Sequence, residues 1–235
     1  MATFVLIPGA GGDPWEWHLL VAELEARGHR AVAVRLPTED DAAGWQEYAG
    51  AVVDAISGRG RGVHADERVV VVAESLGGFT APIVCTRLPV DLLVLLNAMI
   101  PVPGETFNEW GANTASGRAR REYHAALGLI PEEAEDDAVI YYHDLPADVR
   151  AEAQRRTWQG QSATPLEQPW PLPQWPDVPT RVLAGRHDRI FPLVFQRRIA
   201  RERLGLESDE IDGGHMLALS NPAGLADRLV AYLEG

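Results

Sequence analysis

The 235-residue sequence contains no lysine, and arginine supplies all 21 of its basic residues. Without lysine, the chain lacks a Walker-A phosphate-binding lysine, a Schiff-base lysine and a tyrosine–lysine dehydrogenase pair. It has a single cysteine, Cys85, which excludes an internal disulfide and a cysteine-based zinc cluster. These absences remove several classes of cofactor-dependent enzyme. We therefore expect neither a cofactor nor a metal.

Positive charge is also scarce, because 34 acidic residues leave a net charge of −13. A negative overall field repels nucleic-acid phosphates and anionic lipid surfaces. No apolar run approaches the ~20 residues of a membrane span. Apolar residues nevertheless make up 46% of the chain, as is usual for globular proteins. We expect a cytoplasmic protein that binds neither nucleic acid nor membrane. The sequence does not fix its oligomeric state, and a homodimer is one option.

Strand and helix patterns alternate along the two ends of the chain. Short apolar runs predict six strands, at 3–7, 31–36, 69–73, 92–96, 181–184 and 207–211. Helical spacing predicts helices between them, at 13–28, 44–56, 76–88, 193–204 and 222–233. In the first of these, Asp13 and Glu16 have the spacing of a capping box. The alternation predicts an α/β fold, a parallel sheet with helices on both faces.

The middle of the chain breaks this pattern. Residues 101–178 contain no convincing strand, but they hold amphipathic helical stretches and a proline-rich return segment. We interpret them as a small helical cap inserted after the fourth strand. The α/β core is then formed by residues 1–100 and 179–235.

The first chemical motif is Ala73-Glu74-Ser75-Leu76-Gly77, between the third strand and a helix. It resembles the G-x-S-x-G nucleophile elbow, with alanine in place of the first glycine. Small residues two positions before and after the serine suit so sharp a turn. The alternative is a buried serine that only caps the helix.

A glycine-rich turn, Pro8-Gly9-Ala10-Gly11-Gly12, follows the first strand. One interpretation is an oxyanion loop, in which the N–H groups of Ala10 and Leu76 bind a developing negative charge. The other is a dinucleotide loop, with Arg35 placed for a 2′-phosphate. That second interpretation is weaker, because Pro14 stands where the third glycine of the motif belongs.

A histidine and an acid follow later strands. His215 lies in a glycine-flanked loop after the last strand, and Asp188 lies just after the fifth. The order Ser75, Asp188, His215 is the one expected when a nucleophile, an orienting acid and a general base meet at one sheet edge. The alternative acid position, after the fourth strand, holds the uncharged Asn97. Asp212 is only three residues from His215, too close in the chain to reach the ring from behind.

With these motifs the chain resembles the α/β-hydrolase superfamily. Within it, the chain is most similar to the group of plant methylesterases, hydroxynitrile lyases and their bacterial esterase relatives. The resemblance rests on FVLIPGAGGDPWEWHLLVAELEARGH, VVVVAESLGGFTAP, DRIFPLVFQ and GGHMLALSNP. Where the lyases carry a threonine and a lysine, this sequence has Gly9 and Met216. Pro8 and Glu74 also stand where histidine is common in the group.

The resemblance implies the esterase branch. The expected reaction is hydrolysis of a small ester, thioester or lactone, with Ser75 as nucleophile, His215 as base and Asp188 as orienting acid. The predicted substrate pocket comprises Gly9, Gly11, Glu74, Met99, Trp110, Ile190 and Met216. Two alternatives remain open, a ligand-binding protein without turnover and a cofactor-free lyase or oxygenase. The absent lysine and Pro14 disfavour an NAD(P)-binding oxidoreductase.

Overall fold

The strands form one sheet in which every neighbouring pair runs parallel. A computed structural model describes residues 1–57, 67–156 and 159–234. In this part of the chain the strands are β1 (Ala2–Ile7), β2 (Arg30–Ala33), β3 (Arg68–Glu74), β4 (Leu92–Leu96), β5 (Thr180–Gly185) and β6 (Ser208–Ile211). Their spatial order is β2-β1-β3-β4-β5-β6. The predicted α/β class with six parallel strands is confirmed.

Successive side chains of a strand point to opposite faces of the sheet and pack into two separate hydrophobic cores. In β1, Phe4 and Leu6 point to one face of the sheet, and Val5 and Ile7 point to the other. All four side chains are fully buried. Helices must therefore cover both faces, which explains why a central strand such as β4, Leu-Leu-Val-Leu-Leu, is apolar at every position.

Some helices cover the faces of the sheet, and a further group of helices lies between β4 and β5 in the chain. Their bounds are α1 (His18–Ala26), α2 (Trp45–Ser57), α3 (Gly77–Cys85), α4 (Phe107–Thr114), α5 (Ser116–Ala126), α6 (Asp137–Ile140), α7 (Ala147–Arg155), α8 (Ala163–Glu167), α9 (Leu193–Leu204), α10 (Leu217–Ser220) and α11 (Pro222–Ala231). Helices α1 and α11 pack on one face, and α2, α3 and α9 pack on the other. None of the described helices is both long and apolar enough to cross a membrane.

Two local predictions need correction. The second strand ends at Ala33, three residues earlier than predicted, because only the N–H of Val34 still reaches β1, at 3.0 Å from the Leu6 carbonyl oxygen. The start of the first helix is a 3₁₀ turn at Pro14–Trp17, capped by Asp13, whose carboxylate accepts from the N–H of Trp15 at 2.9 Å. The Glu16 side chain does not complete a capping box there. It turns toward the site described below.

The segment between β4 and β5 contains helices α4 to α8 and no strand among its described residues. Tryptophans anchor it to the core: the indole N–H of Trp110 donates to the Ile100 carbonyl oxygen at 3.1 Å, and that of Trp170 donates to the Phe79 carbonyl oxygen at 2.9 Å. Both rings are buried. The segment therefore packs firmly over the carboxyl ends of the strands.

The strand order fixes where a site can form. From β1 the chain moves outward to β2 on one side, and from β3 it moves toward β6 on the other. A crevice opens at the carboxyl ends of strands where the order reverses in this way. The loops after β1 and β3 border that crevice, and they carry the glycine turn and Ser75.

Candidate active site

Ser75 lies in the sharp turn between β3 and α3, with a backbone φ of 50°. This left-handed conformation is uncommon for a residue other than glycine. The turn is fixed because the Ser75 carbonyl oxygen accepts hydrogen bonds from the N–H of Gly78 at 3.1 Å and of Met99 at 2.9 Å. The strained conformation holds the serine side chain at the carboxyl edge of the sheet.

Close backbone approach explains the glycines around Ser75. A Cβ on Gly78 would lie 1.9 Å from the Met99 carbonyl oxygen, and a Cβ on Gly77 would lie 2.8 Å from that of Pro8. A Cβ on Gly9 would lie 2.9 Å from the Cβ of Ser75. The glycine turn after β1 therefore packs directly against Ser75. A side chain at Gly9 would push Ser75 out of its position.

His215 and Asp188 are joined by a buried hydrogen bond. The distance from His215 Nδ1 to Asp188 Oδ2 is 2.9 Å, and the two side chains are 3% and 0% exposed. Asp188 Oδ1 accepts from the N–H groups of Ile190 at 2.7 Å and Phe191 at 3.0 Å. Gln196 Nε2 donates to Asp188 Oδ2 at 3.2 Å. The carboxylate is thus held on both oxygens.

This hydrogen bond determines the state of the imidazole. A carboxylate only accepts, so Nδ1 of His215 carries the proton and Nε2 is left able to take one. Burial opposes protonation of the ring, but the charge and hydrogen bond of Asp188, together with the charges of Glu74 and Asp144, outweigh it, so the pKa of His215 is raised. The arrangement gives the ring a fixed tautomer and a neighbour that stabilises its charged form.

The two other positions considered for the orienting acid, Asp212 and Asn97, make different contacts. Asp212 Oδ1 is 2.8 Å from Nε2 of the exposed His187. Asn97 has a structural role: its Nδ2 donates to the carbonyl oxygens of Gly214 and His215, each at 3.0 Å, and its Oδ1 accepts from the Gly185 N–H at 2.7 Å. The amide at this position links β5 to the loop that carries the histidine.

Ser75 borders two cavities of different character. The larger, of about 300 Å³, is lined mainly by apolar side chains: Ala10, Leu76, Met99, Phe107, Trp110, Tyr141, Ile190 and Phe191, with Asn108 and Arg120 among the polar ones. The smaller, of about 80 Å³, is lined by Gly9, Ala10, Glu16, Glu74, Tyr141, Tyr142, His215 and Met216. Ser75 lines both cavities, whereas His215 lines only the smaller one.

The predicted pocket residues divide between these cavities. Met99, Trp110 and Ile190 line the larger one, and Glu74 and Met216 line the smaller one together with Gly9. Gly11 lines neither of them. Its N–H donates to Gln161 Oε1 at 3.1 Å, so it fastens the glycine turn to the inserted segment.

Backbone donors are available beside the serine. No acceptor among the described residues takes the N–H of Ala10 or of Leu76. Both residues line the larger cavity together with Ser75. Two free N–H groups next to a serine hydroxyl suit a developing oxyanion. The dinucleotide interpretation of this loop gains no support, because Arg35 lies 3.4 Å from Asp13 and that carboxylate already partners it.

Two carboxyl groups in the smaller cavity were not predicted to act together. Glu74 is 2% exposed, and its Oε1 has no hydrogen-bond partner in the described chain. Burial raises the pKa of Glu74 to about 7, against the lowering effect of His215. Burial also raises the pKa of Glu16 well above its usual range, and the charge of Glu74 adds to that. Glu74 was predicted to line the pocket because it precedes Ser75 in the chain. Glu16 was not, because its spacing from Asp13 predicted a helix cap.

The inserted segment contributes contacts that sequence reasoning missed. The carboxylate of Asp144 accepts from the N–H of Gly214 at 2.5 Å, next to the histidine. The rings of Tyr141 and Phe191 each meet the His215 ring edge-on, with centroids 5.6 Å apart. No motif marks Asp144 or Tyr141, because their roles depend on how the segment returns over the sheet.

Comparison with known proteins agrees with this geometry. The probable esterase PIR7A of Oryza sativa is 33% identical over 111 residues, 43% of this chain and 41% of the relative. Methylesterase 7 of Arabidopsis thaliana is 30% identical over 107 residues, 42% of this chain and 40% of the relative. Each alignment therefore spans less than half the length of these curated relatives. Their names agree with the esterase resemblance found in the sequence.

Solved structures share the whole fold. Polyneuridine aldehyde esterase superposes with a TM-score of 0.77 over 99% of both chains, at 18% identity. A pyrethroid hydrolase from Sphingobium faniae superposes with a TM-score of 0.74 over 100% of this chain and 98% of that one, at 21% identity. The model of the alpha/beta hydrolase family matches residues 4–228. The chain belongs to the alpha/beta hydrolase family.

Proposed function

We propose that the protein is a serine hydrolase that cleaves a small carboxylic ester, thioester or lactone. The observation that carries this proposal is the buried 2.9 Å bond between His215 and Asp188 beside a cavity that Ser75 also lines. The strained turn at Ser75 and the free N–H groups next to it support the same chemistry. Residues 101–178 would then form a cap over the core built from 1–100 and 179–235.

The reaction follows from the roles of these groups. Ser75 Oγ attacks the substrate carbonyl while His215 Nε2 takes its proton, and Asp188 stabilises the resulting imidazolium. The N–H groups of Ala10 and Leu76 bind the oxyanion. His215 then gives its proton to the leaving group, which departs and leaves an acyl group on Ser75. A water molecule, activated by the same histidine, releases the acid. This chemistry needs no cofactor.

The test is covalent labelling of the serine. A fluorophosphonate probe should label Ser75 stoichiometrically, as located by peptide mass spectrometry. Ser75→Ala should lose the label and lower turnover of p-nitrophenyl esters by on the order of 10³-fold or more, since only oxyanion binding remains. Ser208→Ala, on the edge strand β6, is the control and should keep both.

Two results would overturn the proposal. An unlabelled Ser75 in the folded protein would favour a binding protein without turnover. Near-native ester turnover in folded Ser75→Ala would show that another group performs the chemistry. A panel of methyl esters, thioesters and lactones then narrows the substrate class.

A further inference from the structure

Only one of the two cavities at Ser75 is lined by His215. If the proposed function holds, this difference indicates which cavity binds the alcohol part of an ester and which binds the acyl part. His215 lines the smaller cavity and is not among the residues that line the larger one. The group that leaves must receive its proton from His215. The departing alcohol therefore occupies the smaller cavity, and the acyl group extends into the larger apolar one.

The smaller cavity is strongly acidic for its size. Glu16 and Glu74 both line it, and no arginine is among the described residues that do. Glu74 Oε1 is buried without a hydrogen-bond partner in the described part of the chain. A buried carboxyl group without a partner is costly, and buried charges are normally paired. Glu74 thus brings a carboxyl group with an unpartnered oxygen to the lining of the cavity assigned to the leaving group.

The rest of the lining suits the same kind of guest. The aromatic side chains of Tyr141 and Tyr142 border this cavity. Aromatic faces attract cations, most strongly where water is excluded. A protonated amine would pair with the carboxylates while its carbon atoms contact the rings. A neutral alkyl alcohol would leave Glu74 Oε1 without a partner.

We propose that the preferred substrates are esters of small amino alcohols, with the ammonium group bound between Glu16, Glu74 and the two tyrosines. The volume of about 80 Å³ limits this group to a few heavy atoms. In the acylation step the bond from Ser75 Oγ to the carbonyl carbon forms and the bond from that carbon to the alcohol oxygen breaks. His215 Nε2 gives its proton to that oxygen, and the amino alcohol leaves with its ammonium charge unchanged.

The experiment compares two esters of the same shape and different charge. The 2-(dimethylamino)ethyl and 3-methylbutyl esters of butyric acid differ only in a protonated nitrogen in place of a CH group. In mildly alkaline buffer, above the pKa of about 7 that burial gives Glu74, we expect kcat/KM for the cationic ester to be higher by about tenfold, because a partly buried charge pair is worth more than a solvated one. Glu74→Gln and Glu16→Gln should each reduce that ratio. Glu25→Gln removes an equal charge from the exposed surface of α1 and should leave the ratio unchanged.

A second readout does not depend on turnover. In the wild-type protein, 2-(dimethylamino)ethanol should slow fluorophosphonate labelling of Ser75 more than 3-methylbutanol does. Glu74→Gln should remove this difference, and circular dichroism and thermal melting would establish that the variant is folded. Equal protection by the two alcohols, or equal kcat/KM for the two esters, would overturn this inference and leave the ester hydrolase intact. Failure of Ser75 to react with the probe would instead overturn the proposed function.

Discussion

The side-chain amide of Asn97 donates a hydrogen bond of 3.0 Å to the carbonyl oxygen of His215. A second bond of 3.0 Å goes to the carbonyl oxygen of Gly214, and Asn97 Oδ1 accepts from the N–H of Gly185 at 2.7 Å. The site therefore needs a residue that donates and accepts on the same planar group. A left-handed backbone with φ of 46°, which asparagine tolerates, adds to that requirement.

Asn97→Asp should consequently destabilise the protein, although it matches the acid position used by other members of the fold. The carboxylate loses both donated bonds and places a buried charge against two carbonyl oxygens. We expect a loss of about 3 kcal/mol in the free energy of unfolding, measured by urea denaturation. A variant as stable as the wild type would contradict the structural role of this amide.

Asp188→Asn should lower kcat by roughly 10⁴-fold, because the histidine loses both its tautomer and the charge that stabilises its protonated form. Asp212→Asn is the matched control, since its carboxylate bonds the exposed His187 instead. Its effect should be small. Steady-state assays on one p-nitrophenyl ester compare the two variants. If Asp212→Asn proved the more damaging change, the assignment of the orienting acid would be wrong.

Glu74→Gln should move the acidic limb of the kcat/KM profile to lower pH. Activity should fall as the pH is lowered, because His215 becomes protonated. The pKa of His215 is raised because Asp188, Glu74 and Asp144 together outweigh burial. Removing the charge of Glu74 removes part of that support, so the ring stays neutral to lower pH. The profile should be measured with the neutral 3-methylbutyl ester. An unchanged profile would show that Glu74 is uncharged wherever the histidine titrates.

Glu74 should also cost stability at high pH. Burial raises the pKa of its carboxyl group from 4.5 to about 7, so the folded state binds its proton more tightly than the unfolded state does. Stability therefore falls as pH rises between those values, and the deficit persists above them. Glu74→Gln should gain about 1–3 kcal/mol in alkaline buffer and nothing below the lower value. Urea denaturation at the two extremes of pH measures this gain. An equal gain at both would point to packing instead of charge.

Cyanohydrin cleavage should be absent. Gly9 and Met216 stand where the lyases of the resembling group carry a threonine and a lysine, and the chain has no lysine to substitute. Arginine is a poor replacement because its planar, wider head needs a different pocket. Mandelonitrile and a butyrate ester should be assayed with one sample at mildly acidic pH, where spontaneous decay of the cyanohydrin is slow. Cyanide release that disappears in Ser75→Ala, without ester hydrolysis, would move the protein to the lyase side.

The sheet and the chemical motifs could be predicted because their signals are local. Each strand is a short apolar run, and Ser75, Asp188 and His215 each follow one. Parallel strands bring such positions to the same edge, so chain order alone indicated which residues meet. Asn97 also follows a strand, but it was not predicted to be the acid because an amide carries no negative charge.

The smaller cavity could not be predicted, because its lining comes from distant segments. Glu16 follows Asp13 at a spacing that also forms a capping box, and only the tertiary structure shows its carboxyl group near Glu74. Tyr141, Tyr142 and Asp144 lie in a segment without a recognisable motif. Their contacts depend on how that segment returns over the sheet, which no periodicity in the sequence encodes.

Asp144 and Gln161 tie the inserted segment to the two loops that flank Ser75, through the N–H groups of Gly214 and Gly11. The segment is therefore part of the scaffold of both loops as well as a wall of the pocket. An exchange of residues 101–178 for the corresponding segment of another hydrolase would remove two acceptors from the loops that hold His215 and Ala10. A segment exchange intended to change substrate specificity should succeed only if the new segment also supplies acceptors equivalent to Asp144 and Gln161.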